Sequence, residues 1–197
     1  MKLYGTTTSP FVRRVRVVAA EIGEPVDRID TATDAGMAAL REVTPIRKVP
    51  VAQIDGKLLF DSRTIIEWLF ATRGYNGMAP PRDHWRELNL VNAIDGALDA
   101  VVQVFYLRRD GVAIEGTPYA TRQFERADAI FAWLGKELAP DQTSFDGRGL
   151  GLAELSLVCA LDWMDFRGSY PTERAGLATL RAAWRERPSL AATRPHV

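Results

Sequence analysis

"TTTSPFVRRVR", residues 6–16, follows a short apolar opening, "MKLYG" (1–5), and its reading decides how the first half of the chain folds. From Phe11 onward the apolar residues fall at Phe11, Val15, Val18, Ala19 and Ile22, one face of an α-helix. Pro10 suits the first helical position, where its missing N–H costs nothing. Ser9 then falls at the N-cap, where its hydroxyl can accept a free backbone N–H, and Gly23 is placed to end the helix. "KLYG" reads as a strand. The opening is therefore a strand, a turn crowded with hydroxyls, and a helix that starts at that turn.

Outward from this stretch, strand-like and helix-like segments alternate through residue 75. "PVDRID" (25–30) reads as a second strand and "DAGMAALREV" (34–43) as a short helix stopped by Thr44-Pro45. "PVAQID", then "GK", then "LLFD" reads as a hairpin turning at Asp55-Gly56. "SRTIIEWLFATRG" (62–74) is a third helix with Ile65, Ile66, Leu69 and Phe70 on one face. The predicted order is βαβαββα. "GYNGMAPPRDH" (74–84) is rich in Gly and Pro and reads as a linker. No strand is predicted beyond it. Helices are expected over 85–109, 118–138, a strongly apolar 150–167, and 174–187. The expected domains are 1–75, a linker at 76–84, and an all-helical 85–197.

Composition narrows the function classes. In 197 residues, 25 Lys plus Arg balance 25 Asp plus Glu. A chain without net charge is not steered to nucleic acid or an anionic membrane, and neither is expected as a partner. No apolar run approaches the ~20 residues that span a bilayer, and no signal-peptide pattern precedes the first strand. With one cysteine, Cys159, and two histidines, His84 and His196, a His/Cys metal cluster is not available, so no metal is expected. The lone cysteine is expected to be a buried small hydrophobe in a reducing, cytoplasmic protein, and His84 a linker or helix-start residue. A Ser–His–Asp triad would need His84, which has no nucleophile motif near it.

Three motifs in this order resemble the glutathione S-transferase family, over essentially the whole chain. The first is the turn Thr8-Ser9-Pro10-Phe11, followed by Arg13 and Arg16. It is similar to the active-site turn of thioredoxin-like redox proteins with both cysteines missing. The second is Lys48-Val49-Pro50, where the family keeps a cis-proline entering a strand. The third is Asp61-Ser62 at the start of the third helix. The sequence is most similar to small bacterial serine-type transferases that read T-S-P-F-V-R near residue ten and end in R-P-S-like tails, here "ERPSLAATRP". The resemblance implies an α/β thioredoxin-like N-terminal domain followed by an all-α domain. Two departures stand out. Arg47 occupies a position where the family often has Gly, and Gly151-x-x-Glu154 replaces the usual Ser/Thr-x-x-Asp cap of the helix after residue 150.

A turn without a thiol can serve the thiol of another molecule. Glutathione brings a cysteine whose thiolate is the nucleophile; with a pKa near 8.5, only about 3% is ionised at pH 7. Lowering that pKa to ~6.5 requires about 3 kcal/mol of selective stabilisation. A hydroxyl hydrogen bond to a charged acceptor contributes ~1.5–3 kcal/mol and a helix N-terminus ~0.3–1 kcal/mol. By the resemblance Ser9 is the activating hydroxyl, with Thr8 and Thr7 as the other hydroxyls of the turn. The alternative reading of Ser9 is the helix cap alone. The resemblance further implies that Val49 pairs its main chain with glutathione as an added strand would. Lys48 is read either as a partner for the glycine carboxylate or as a solvated surface lysine. Ser62 would cap the third helix and receive the γ-glutamyl carboxylate, and Asp61 would attract the ammonium.

Phe105, Tyr106 and Trp163 are candidates for an electrophile pocket, against the alternative that they are core. Asp95 or Asp99 is placed to reach glutathione or to hold its helix, and Arg13 to raise the local potential or pair across a dimer. The implied activity is attack of the thiolate on a hydrophobic electrophile or a peroxide. Glutathione is a co-substrate, there is no separate cofactor, and the assembly is a cytoplasmic homodimer used in detoxification. Without a turn cysteine, disulfide oxidoreductase, dehydroascorbate reductase and maleylacetoacetate isomerase chemistry are disfavoured. The alternative is a non-catalytic, transferase-like protein-binding module.

Overall fold

A computed structural model describes residues 1–175 and 177–196. Among these, two compact units are formed: Met1–Met78 together with Arg187–Val197, and Ala79–Glu186.

The first unit is built on a four-stranded sheet. Its elements are β1 (Lys2–Tyr4), α1 (Pro10–Ile22), β2 (Asp27–Ile29), α2 (Asp34–Val43), β3 (Val51–Ile54), β4 (Lys57–Leu59) and α3 (Ser62–Arg73). The strand order is β2-β1-β3-β4, with β1 parallel to β2 and the other pairs antiparallel. This is the predicted βαβαββα thioredoxin-like arrangement. Leu3, Val15, Val18, Val51, Ile65 and Leu69 are fully buried and fill the layers. Gly5 is required where β1 hands over to α1: a Cβ there would stand 2.3 Å from Val12 Cγ2.

Register brings three loops to one end of the sheet. Tyr4, the last residue of β1, pairs with Val51, the first of β3. Ala52 pairs with Leu59, the last of β4. The turn after β1, the segment before β3 and the entry to α3 therefore emerge together.

The second unit contains α4 (His84–Arg109), α5 (Pro118–Glu137), α6 (Leu152–Phe166), a 3₁₀ turn (Thr172–Ala175) and α7 (Ala178–Trp184). α4 packs against α5 and α6, and α6 is buried on nearly every side. α4 is long and apolar enough by composition to cross a membrane, contrary to the sequence reading. Its Leu90, Val91, Ile94, Leu98 and Val101 are nevertheless buried in the unit. Part of the helix expected over 174–187, at residue 176, lies outside the described residues; within them α7 begins at Ala178.

The tail differs from expectation. Residues 187–197, assigned from sequence to the helical half, belong to the first unit, where α8 (Pro188–Ala191) packs on α1. Side chains of α1 hold it. Arg13 donates to Leu190 O (3.0 Å) and Thr193 Oγ1 (3.4 Å). Glu21 accepts from Arg187 Nε and Nη2, each at 2.7 Å, and from the Ser189 hydroxyl.

Candidate functional site

Ser9 caps α1 as the sequence suggests. Its backbone is extended and its Oγ accepts the Val12 N–H at 3.3 Å. Pro10 brings no N–H, and the Arg13 N–H is taken by Ser9 O at 3.0 Å. The capping bond uses a lone pair of the Ser9 hydroxyl, and its proton has no acceptor among the described residues. The neighbouring hydroxyls are differently engaged. Thr7 donates to His196 O (3.0 Å), and Thr8 lies 3.2 Å from the Thr6 hydroxyl. Capping and donation to an incoming sulfur are thus compatible roles for Ser9, because one consumes an acceptor site and the other a donor.

The second motif stands at the same end of the sheet. The Val49-Pro50 bond is cis. Pro50 is buried, Val49 half-buried and Lys48 exposed. No hydrogen bond among the described residues occupies the Val49 main chain, which leaves it open for an extended ligand. Arg47, at the position where a glycine was noted as usual, has φ 50°, the left-handed region that favours glycine.

At the third motif the structure corrects one assignment. The N-cap of α3 is Asp61, whose Oδ1 accepts the Arg63 N–H at 2.9 Å; Ser62 is the first helical residue. Asp61 has the extended backbone of a cap and an oxygen that reaches the N–H two residues on, whereas Ser62 already lies inside the helix. Ser62 is buried, and its Oγ accepts from Arg14 Nε (3.0 Å) and Nη2 (2.7 Å). With both lone pairs engaged by a guanidinium, the Ser62 hydroxyl is left to donate. Arg14 is the residue that sequence reasoning missed. Its guanidinium lies under the Phe11 ring, 5.1 Å from the centroid. It therefore joins the first and third motifs and adds positive charge behind the α3 N-terminus. The RR pair at 13–14 was visible, but which arginine faces α3 is set by helix phase against a neighbour. Arg13, expected to raise the local potential or reach a partner subunit, instead holds the tail.

The second unit carries the remaining candidates. Phe105 on α4 meets Trp163 on α6 edge-to-face, centroids 5.3 Å apart, and the adjacent Tyr106 at 5.5 Å. Trp163 is buried and Tyr106 is 46% exposed, with the Arg109 guanidinium 4.6 Å over its ring. Asp95 is half-buried and Asp99 exposed on α4. Cys159 is buried, as expected, and His84 is the exposed first residue of α4.

The α6 cap is assembled from two carboxylates. Glu154 reaches back to the Gly151 N–H (2.9 Å), the half of the box expected from sequence, and also accepts the Phe145 N–H (2.7 Å). The hydroxyl that Gly151 lacks is replaced by Glu87 of α4, whose Oε1 accepts the Leu152 and Ala153 N–H groups at 3.0 and 3.3 Å. A Cβ at residue 151 would stand 2.8 Å from Glu154 Oε2 and 3.1 Å from Glu87 Oε1, so glycine makes room for both. Burial pushes both carboxyl pKa values above the ordinary range, outweighing the backbone hydrogen bonds. Among the described residues, no cluster of three or more His, Cys, Asp or Glu side chains offers a metal site.

Comparison with known proteins turns on the same segments. The model for the glutathione S-transferase N-terminal domain matches residues 3–77, and that for the C-terminal domain matches 113–192. The chain belongs to the glutathione S-transferase family. An uncharacterised transferase-like protein of Escherichia coli, YibF, is 28% identical over 99% of this chain and 98% of its own. A glutathione S-transferase of Methylobacillus flagellatus, solved with glutathione bound, superposes with a TM-score of 0.83 at 26% identity, covering 99% of each chain. A family member from Pseudomonas fluorescens with bound S-(propanoic acid)-glutathione gives a TM-score of 0.80 at 29% identity, with each chain fully covered.

Proposed function

We propose that this glutathione S-transferase family member is a glutathione transferase: its first unit binds glutathione and holds the sulfur as a thiolate, which attacks an electrophilic carbon or a peroxide. One observation carries the reading. Three sequence-distant elements converge at one sheet end, each offering what a part of the tripeptide needs. Val49 offers an open main chain for the cysteine backbone. The α3 N-terminus, with the Ser62 hydroxyl and the Arg14 charge behind it, suits the γ-glutamyl carboxylate, and Asp61 suits the ammonium. Lys48, exposed beside Val49, faces solvent where a glycine carboxylate can be neutralised. Ser9 donates to the sulfur at the α1 N-terminus, next to Thr8 and Phe11. The solved relatives with glutathione or a glutathione conjugate bound support the same assignment.

The helical unit contributes the electrophile side through Phe105, Tyr106 and Trp163. We assign the chain to the cytoplasm as a homodimer. Exposed Ile46, Leu58 and Phe60 on the first unit, each 38–39% accessible, supply an apolar surface for a second copy. Light scattering after gel filtration at micromolar concentration should give twice the 21.9 kDa chain mass.

The decisive experiment is a thiolate absorbance titration of bound glutathione. The reading expects ionisation well below the free-thiol pKa of about 8.5. In Ser9→Ala the pKa should return toward that value, and kcat should fall about 10–100-fold, with glutathione affinity nearly kept. An unshifted thiol in the folded wild type, or no glutathione binding, would leave a non-catalytic binding module instead.

A further inference from the structure

The starts of α4 and α6 border a cavity of about 270 Å³ that lies within the second unit and that the glutathione reading does not use. Pro80, Pro81, Leu90 and Phe145 give it an apolar lining. Its volume falls just below the ~300–1,000 Å³ of pockets for drug-sized ligands, so it suits a smaller molecule.

The charges around this cavity are unevenly matched. Arg86 is taken by Glu137 at 3.0 Å and by Phe145 O at 3.2 Å, and Asp146 is taken by Arg148 at 2.9 Å. Glu154 is buried and spends both oxygens on the Gly151 and Phe145 N–H groups. Glu87 is half-buried and only half used. Its Oε1 accepts from the Leu152 and Ala153 N–H groups, while its Oε2 has no partner among the described residues and is not sealed from the cavity. Burial raises the Glu87 pKa, and the charges of Glu154 and Asp146 raise it further. Arg82 lines the same cavity and makes no hydrogen bond or ion pair among the described residues. Two opposite charges thus border one space without pairing with each other. A carboxylate shielded from water and facing other carboxylates gains from a cationic donor, and a guanidinium gains from a carboxylate.

We propose that this cavity binds a free α-amino acid with an apolar side chain: the ammonium donates to Glu87 Oε2, the carboxylate pairs with Arg82, and the side chain lies on Pro80, Pro81, Leu90 and Phe145. A zwitterion brings both counter-charges at once. A plain amine meets Glu87 but sets its own positive charge beside Arg82, and a plain acid leaves Glu87 unmatched. Both contacts are charge-assisted, and the guanidinium directs the second through its fork of N–H groups. The amino acid is held and not transformed, so the site stands apart from the transferase reading.

Isothermal titration with L-leucine tests the site, beside leucinamide, which keeps only the ammonium, and N-acetyl-leucine, which keeps only the carboxylate. Wild type should bind L-leucine saturably and at least about 10-fold tighter than either derivative. Glu87→Gln keeps an oxygen for the α6 amides and so preserves the fold. It should weaken L-leucine about 10–100-fold and leave N-acetyl-leucine within about twofold. Arg82→Met, at an exposed position just before α4, should weaken L-leucine about 10-fold without weakening leucinamide. No saturable binding at millimolar L-leucine, equal affinity for all three compounds, or losses in the two variants that do not follow the missing charge would each overturn the proposal.

Discussion

Ser9 and Ser62 show how one side-chain type reaches the same donor role from different surroundings. Ser9 spends an acceptor site on its own helix and keeps a proton to give. Ser62 has its lone pairs taken by Arg14 and likewise keeps its proton. Arg14 does not need to touch the ligand to matter, because it fixes the donor orientation of Ser62 and leaves positive charge behind the α3 N-terminus. Arg14→Met should therefore weaken glutathione binding about 10-fold or more by isothermal titration, while the pKa of the bound thiol stays depressed. That split distinguishes it from Ser9→Ala, which moves the thiol pKa and spares affinity. Arg13, its neighbour in sequence, points to the tail, and a charge-removing change there should act on stability instead.

At the scale of elements, α6 starts on a cap that few sequences would announce. Gly151 contributes no side chain, and its absence of a Cβ admits carboxylates from two directions. Both Glu87 and Glu154 are held above the usual carboxylate pKa, chiefly by burial. A carboxylate whose folded pKa is raised favours the folded state most when protonated, so its contribution falls as pH climbs from the unfolded value of about 4.5 through the folded one. Glu87→Gln keeps an oxygen for the Leu152 and Ala153 N–H groups and removes the buried charge. Its thermal midpoint should exceed that of wild type at pH 7.5, with the gap closing toward pH 4.5 in a series of melts. Glu87→Ala leaves two amides uncapped and should melt below wild type at both.

For the whole molecule, the R-P-S tail acquires a reason. Pro188 opens α8, while Arg187 and Ser189 converge on Glu21 of α1 and Arg187 also donates to Gly77 O at 2.8 Å. The Arg187 hydrogen bonds hold the Glu21 carboxyl below its ordinary pKa. That stabilisation is full above about pH 4.5 and is lost as pH falls through the lowered folded value. Glu21→Gln should lower the melting temperature at pH 7 and converge on wild type in acid. At neutral pH it should also raise amide exchange across residues 187–197.

Much of this was written in one dimension. The helix over 10–22 follows from apolar spacing between Pro10 and Gly23, α2 over 34–43 from its periodicity, and the hairpin from Asp55-Gly56. Each depends on contacts a few residues apart, which the order of residues sets directly. What the chain order left open were the long-range partners. Nothing local distinguishes Arg14 from Arg13, places Asp61 rather than Ser62 at the cap, sends Glu87 across to Leu152, or returns residues 187–197 to α1. The Arg14, Glu87 and tail pairings join residues 48 to 180 positions apart. They exist because packed helix faces and strand register bring donors and acceptors together, and only the folded chain fixes that phase. The sequence thus determined the elements and the kinds of group at the site, while the tertiary structure decided which group meets which.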